Sequence, residues 1–423
     1  MLFPLPIPPV SPKTCTGGDD ITNDSGFGVA RLVRGAQMAK MFWLRVLALI
    51  IAAALGVGCT AAAEPSYLSA PIVELDANAL RPRDGTRRVL AAADPKSDGP
   101  PSDHERRLGL RWRFRAGSPS PGIAVGSDGT VYVPTQEGHV HAVAADGAFR
   151  WSFNCHAPAT GVAVNSAGLL LVANTAGVLQ AILPGGTGLW AYQAPHPFGT
   201  PLVVGGDATA YVGDRSDCLV AVSSKGGALW RAPIEGGIAQ SPTLLRDGRV
   251  VVGTADGRLM WVEGVLRRRV LTLPATIVQP PELLSDGTIL AVAGTTLVAA
   301  LEGAEAWRVE GVQAAASLDT GFVTIGEDGI CWWGSEGQRQ RCSPLSWAPS
   351  ARPAVGPVGR IFVPTPSGDL VVVAATGKVE RVVPVARTGL WAPVVDAERG
   401  QVLAAAGDGV LGAVALGVEG LDR

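Results

Sequence analysis

Few residues in the sequence are placed to do chemistry. His139 and His141 stand two apart, a spacing that sets both imidazoles on one face of a β-strand and within reach of one metal ion. No cysteine or carboxylate cluster adjoins them, so sheet packing or a solvent-facing position is the expected role, and no metal is assigned. Cys331 and Cys342 lie at equal distances from a turn centred between Glu336 and Gly337. On the two strands of a hairpin they would oppose each other directly and could form a disulfide in an oxidising compartment. Two buried thiols, or strands offset by a bulge, are the other readings. Cys155 and Cys218 fall in different stretches, and no bridge is expected between them. Asp128, Asp247, Asp256, Asp286, Asp328 and Asp408 each precede a glycine, where turn geometry already explains a carboxylate. His156 and His196 sit near expected loops and offer only a weak hint of a binding surface.

The cysteine with the most specific setting is Cys59. Lys40 and Arg45 flank the start of an apolar run from Val46 to Val57 that ends in Gly58-Cys59. That run is too short for a stable membrane-spanning helix and has the proportions of a signal-peptide core. Leu55-Gly56-Val57-Gly58-Cys59 resembles a bacterial lipobox, although the usual leucine position holds Gly56. The resemblance implies that Cys59 is lipidated and becomes the mature N-terminus. Plain secretory cleavage near Ala61–Ala63 and a retained anchor are the alternatives. Residues 1–37 look unlike a signal n-region, and a start at Met38 or Met41 would account for them. Thr60, by resemblance to lipoprotein sorting in Gram-negative bacteria, points to the outer membrane. Residues 60–107 read as a flexible tether, with room for one docked segment.

The elements behind these residues are set by a repeat. Trp112, Trp151, Trp190 and Trp230 are separated by 39, 39 and 40 residues, and Trp307 follows 77 later. The vacant place between them is assigned to Leu271, and the period continues through Cys342 and Val382. Each unit carries a short apolar strand, such as Pro201–Val204 or Pro242–Leu245, then a glycine turn and a β-branched strand. A second turn, a third strand and another turn lead to the next tryptophan-bearing strand. Four short strands per repeat describe a propeller blade. Leu110–Phe114 precedes eight sets of the three inner strands, while Gly417–Arg423 makes a poor last strand. The expected fold is therefore an all-β, eight-bladed propeller over 108–423, with four-stranded antiparallel blades. The N-terminal strand closes its last blade. Seven blades with irregular segments is the alternative.

Gly129–Trp151, Thr209–Trp230 and part of Gly248–Trp261 resemble the pyrroloquinoline-quinone-like propeller repeat. The resemblance implies that Trp112, Trp151, Trp190, Trp230 and Trp307 dock between adjacent blades. A quinone-dependent dehydrogenase of this kind would need a calcium site, a base and a cofactor held against tryptophan. Its best-known forms also carry adjacent cysteines. The chain has no adjacent cysteine pair and no long inserted loops, so neither enzyme activity nor a cofactor is expected. A signal region, a lipidated cysteine and a bare propeller together resemble the scaffold lipoproteins of outer-membrane β-barrel assembly. That implies an envelope-protein partner such as a barrel-insertion machine.

Composition agrees with this reading. Gly contributes 54 residues and Pro 32, charged residues are 17%, and net charge is -2, which gives nucleic acid no basic surface. The basic runs Arg81–Arg88 and Arg267–Arg269 read as solvated loops or turns. Trp347, Pro349, Phe198 and Arg267–Arg269 are modest candidates for partner contacts. Trp332 and Trp333 must face opposite sides of one strand. A periplasmic sensor or small-ligand-binding propeller remains the other functional class, with an envelope surface-attachment protein as a third.

Overall fold

Seven of the eight sheets are runs of consecutive strands, and the eighth borrows from the other end of the chain. The structure is a computed structural model that describes residues 96, 97 and 99–417. Cys59 and the surrounding signal region lie outside the described residues, as does most of 60–107. All described residues belong to one compact unit.

Blade 1 comprises Ala124–Val125, Val131–Pro134, His139–Val143 and Phe149–Asn154, in that order from axis to rim. Blades 2 to 7 repeat this plan, and first strands of neighbouring blades touch around the axis. The second and third strands are almost wholly buried, and some, such as Val131–Pro134 and Cys218–Val222, are buried at every position. Stacked blades cover both of their faces, so these strands read as continuous apolar runs. Outer strands are far less covered: Phe149–Asn154 buries none of its residues fully.

The recurring Asp-Gly pairs have a common job. Asp128, Asp247 and Asp286 each accept the backbone N–H two residues on, at 2.9–3.0 Å, which closes the turn between first and second strands. The glycine between them takes a positive φ, 81° at Gly129 and 92° at Gly287.

Closure follows the expected route. Val394–Asp396, Gln401–Ala405 and Val410–Ala415 form three strands of blade 8, and Leu110–Arg115 supplies the fourth. Phe114 pairs with Leu411 and Arg113 with Gly412. Trp112, Phe114 and Leu411 pack against Val131, Val133 and Val143 of blade 1, so one cluster seals the ring where the chain ends meet.

The last dozen residues of the stretch read as tether carry two ordered elements. Lys96–Ser97 pairs antiparallel with Phe114 and Arg115, adding a fifth strand to the rim of blade 8. Asp103–Arg107 is a single helical turn closed by a capping box between Ser102 and Glu105. Glu105 also meets Arg113 at 2.7 Å, and Arg113 donates to the carbonyls of Pro384 and Val385 in blade 7. The Ser102 amide and the Arg113 guanidinium hold the Glu105 carboxyl down to about 2. The latch thus ties the start of the closing strand to two blades.

Candidate interaction surface

The tryptophans reach across the seams. Trp112, Trp151 and Trp190 donate Nε1–H to the carbonyls of Ala145, Pro184 and Ser224, each in a turn of the following blade. The rings cover glycines there. A Cβ on Gly147, Gly186 or Gly226 would lie 2.8 Å from the ring. Trp230 packs on Tyr211 and the blade 3–4 cluster, and Trp307 stacks on Phe322 of blade 6 at 5.1 Å.

In three blades another residue takes this place. Every docking tryptophan pairs with an alanine just before a bulge, for example Trp151 with Ala142. By the same register the equivalent residues are Arg269, opposite Trp261, Arg341, opposite Trp332, and Arg381, opposite Val372. Leu271, Cys342 and Val382 therefore do not fill the vacant places, because the bulge fixes the position one or two residues earlier. Two of the arginines serve the same seams. Arg381 donates to the Ala415 carbonyl of blade 8, and the Arg269 stem covers Gly303 of blade 5. Arg341 lies over the Trp332 ring at 4.3 Å, a cation–π contact. In blades 4 and 6 the aromatic has moved one strand inward and the cation has moved out.

The histidines are packed rather than poised. His141 is 9% exposed, between Phe114 and Phe149 at the closing seam, and His139 stacks on it at 6.2 Å. Burial, with the neighbouring His139 adding to it, pulls the His141 imidazole down to about 4. The folded state keeps His141 neutral to that pH, while the unfolded chain takes up the proton near 6.5. Stability should be full above 6.5 and fall as pH drops toward 4, by roughly 3 kcal/mol from this group. His141→Leu should remove that component, measured as the difference in urea unfolding free energy between pH 7.5 and 4.5. An identical pH dependence in the variant would contradict it. His156 is exposed and His196 half-buried, and no shared site joins them.

Cys331 and Cys342 are directly opposed and joined as a disulfide, with Cα atoms 4.1 Å apart. Cys155 is a buried free thiol, pushed up to about 12 by burial, and forms no bridge to Cys218. Trp332 packs toward blade 7, while Trp333 packs toward blade 5 and donates to Thr324. Among the described residues, Asp328, Cys331 and Cys342 are the one group of three His, Cys or acidic ligand atoms close enough to share a metal ion.

Several surface candidates move. Phe198 is fully buried in the core between blades 2 and 3 and is no contact residue. Arg267–Arg269 lie on the outer strand Leu266–Thr272, not in a turn. Trp347 packs partly against the blade 6–7 core, and Pro349 is half-buried. The rim supplies the apolar exposure instead. Phe149, Leu189, Leu229, Leu266 and Val270 stand on outer strands of blades 1 to 4, with Leu229 50% and Leu266 53% exposed. Among the described residues, the outer strands of blades 1 to 7 pair with no further strand. Near the axis, Glu282 accepts from Ser317 N–H at 2.6 Å and from Arg352 at 2.9 Å, linking blades 5, 6 and 7. Those polar groups satisfy one another. Sequence reasoning missed the arginine seams and this triad, because neither has a motif.

Comparison with known proteins agrees with this architecture. A family model described as "Outer membrane protein assembly factor BamB" matches residues 102–197 and 175–298. No curated protein matches the chain. The crystal structure of BamB from Moraxella catarrhalis superposes with a TM-score of 0.60 at 18% identity, covering 71% of this chain and 95% of that one. The computationally designed Ika8 protein gives a TM-score of 0.61 at 14% identity, covering 73% of this chain and 98% of that one. At such identities these structures speak for the fold, and the family match carries the kinship. The chain is a PQQ-like β-propeller distantly related to BamB, an outer-membrane assembly factor.

Proposed function

We propose that the protein is a non-catalytic envelope scaffold, tethered to the outer membrane through a lipid on Cys59, facing the periplasm and binding other envelope proteins during outer-membrane protein assembly. The observation that carries the reading is the rim. Blades 1 to 4 present exposed apolar side chains beside outer strands that no other described strand pairs with, and Lys96–Ser97 adds itself to the equivalent edge of blade 8. An extended segment of a partner can pair with such an edge through its backbone and place alternate side chains on the apolar positions. The family match over 102–298 covers blades 1 to 4 and supports an assembly context. A small-ligand propeller would use the polar groups near the axis, but Glu282, Arg352 and Ser317 already pair with each other.

Crosslinking in cells followed by purification from the outer membrane should recover a barrel-insertion machine consistently. Its absence under efficient crosslinking would overturn the assembly role. Cys59→Ser should release the protein from membranes. Unchanged membrane association would remove the lipid tether from the account.

A further inference from the structure

Blade 6 has the most polar outer strand of the ring. Arg339–Ser343 reads Arg-Gln-Arg-Cys-Ser, with its first four residues exposed. The disulfide therefore has two different ends: Cys331 is 3% exposed on the third strand, while Cys342 stands at the surface. Asp328, in the turn leading into Gly329–Trp333, brings a carboxylate to the same corner. The Asp328 oxygen and the two sulfurs all lie within 4.8 Å of one another. A shallow depression lined by Asp328, Arg339 and Cys342 opens this corner to solvent.

We propose that reduction of the Cys331–Cys342 disulfide converts this corner into a binding site for a thiophilic divalent cation of the zinc class, held by two thiolates and the Asp328 carboxylate. In the oxidised state the sulfurs are spent on each other and the site is shut. A dithiol reductant opens it. Its first thiolate attacks the exposed Cys342 sulfur, the S–S bond breaks, and the electron pair leaves on Cys331, which takes a proton. The second thiol of the reductant then displaces Cys342 from the mixed disulfide. The reductant ends as a disulfide, having given two electrons and two protons, and the chain gains two thiols. A bound cation displaces both thiol protons to solvent.

The geometry suits such an ion. Zinc–sulfur bonds of about 2.3 Å place two tetrahedral thiolates roughly 3.8 Å apart, a spread that side-chain rotation gives to directly opposed cysteines. The carboxylate supplies a third ligand and the open depression leaves the fourth position to water. Arg339 pairs with Asp328 at 3.0 Å and is the competitor, since the cation must displace it from the carboxylate. It is also more than half exposed, so it can swing away.

The test uses cobalt(II) as the probe, because thiolate ligation gives it a charge-transfer absorption, with zinc(II) in competition. Full-length protein reduced with a phosphine, then freed of it without oxygen, should bind one cobalt more than the equally reduced Cys331→Ser/Cys342→Ser variant. That control subtracts every other thiol in the chain. Oxidised wild type should show no such excess. Asp328→Asn, which leaves the disulfide in place before reduction, should weaken the affinity by at least about tenfold, and Arg339→Gln should strengthen it several-fold. Cys342→Ser, at an exposed position, is the second control if the double variant folds poorly. No excess in reduced wild type over either control would overturn the proposal. An excess indifferent to Asp328→Asn would overturn it too.

Discussion

A chain lacking residues 1–115 should fail to hold the native fold at 25 °C. Blade 8 would keep three strands, and the seam cluster would lose Trp112 and Phe114, the latter wholly buried. Leu110 would be lost from the blade 7–8 cluster as well. At roughly 3–5 kcal/mol for each large buried side chain, the loss is about 10 kcal/mol. Whole domains are stable by only about 5–15 kcal/mol, so the open ring should be largely unfolded or aggregated. A circular permutant that places Leu110–Arg115 after residue 416 should restore a single cooperative melt, since the strand's partner is Val410–Ala415. A truncated chain that melts as the intact one does would mean the ring is not closed this way.

Trp112→Ala should be the most damaging change among the docking tryptophans, by about 4 kcal/mol in urea unfolding. Trp112 is only 7% exposed, donates to Ala145, and fills the space above Gly147 at the one seam joined by chain ends. Arg269→Ala should cost less than about 1 kcal/mol, because Arg269 is exposed and its ion pair with Glu302 is a surface pair. Equal losses for the two variants would show that the arginines carry as much of the seam as the tryptophans. Gly147→Ala provides an independent check, since it combines a positive φ of 88° with a Cβ 2.8 Å from the Trp112 ring.

Most of the fold was legible because its signals are local. Asp-Gly turns fix hairpins, buried second and third strands read as largely apolar runs, and tryptophans mark most of the outer strands. The closing strand was legible by counting, since Leu110–Phe114 had no third strand before it. The docking places of blades 4, 6 and 7 were not. Spacing alone puts Arg269 39 residues after Trp230, two residues short of Leu271, to which the place is assigned from the sequence. Only the paired register shows that a long arginine stem, lying across a seam, performs the same covering. Phe198 shows the reverse failure. It precedes the first strand of blade 3, where loops gather, but an isolated bridge to Asp214 turns it inward. The rim's apolar exposure was hidden too, since the sequence of an outer strand does not tell which of its residues the next blade covers.

The interaction surface is tested most directly by site-specific photocrosslinking in living cells, with the photoreactive residue at Leu229 on the rim of blade 3 or at Arg246 in an inner turn of blade 4. Both positions are exposed. The rim position should capture a component of the outer-membrane assembly machinery and the inner-turn position should not. Capture from Arg246 with none from Leu229 would place the partner at the propeller's mouth and contradict the scaffold edge proposed here.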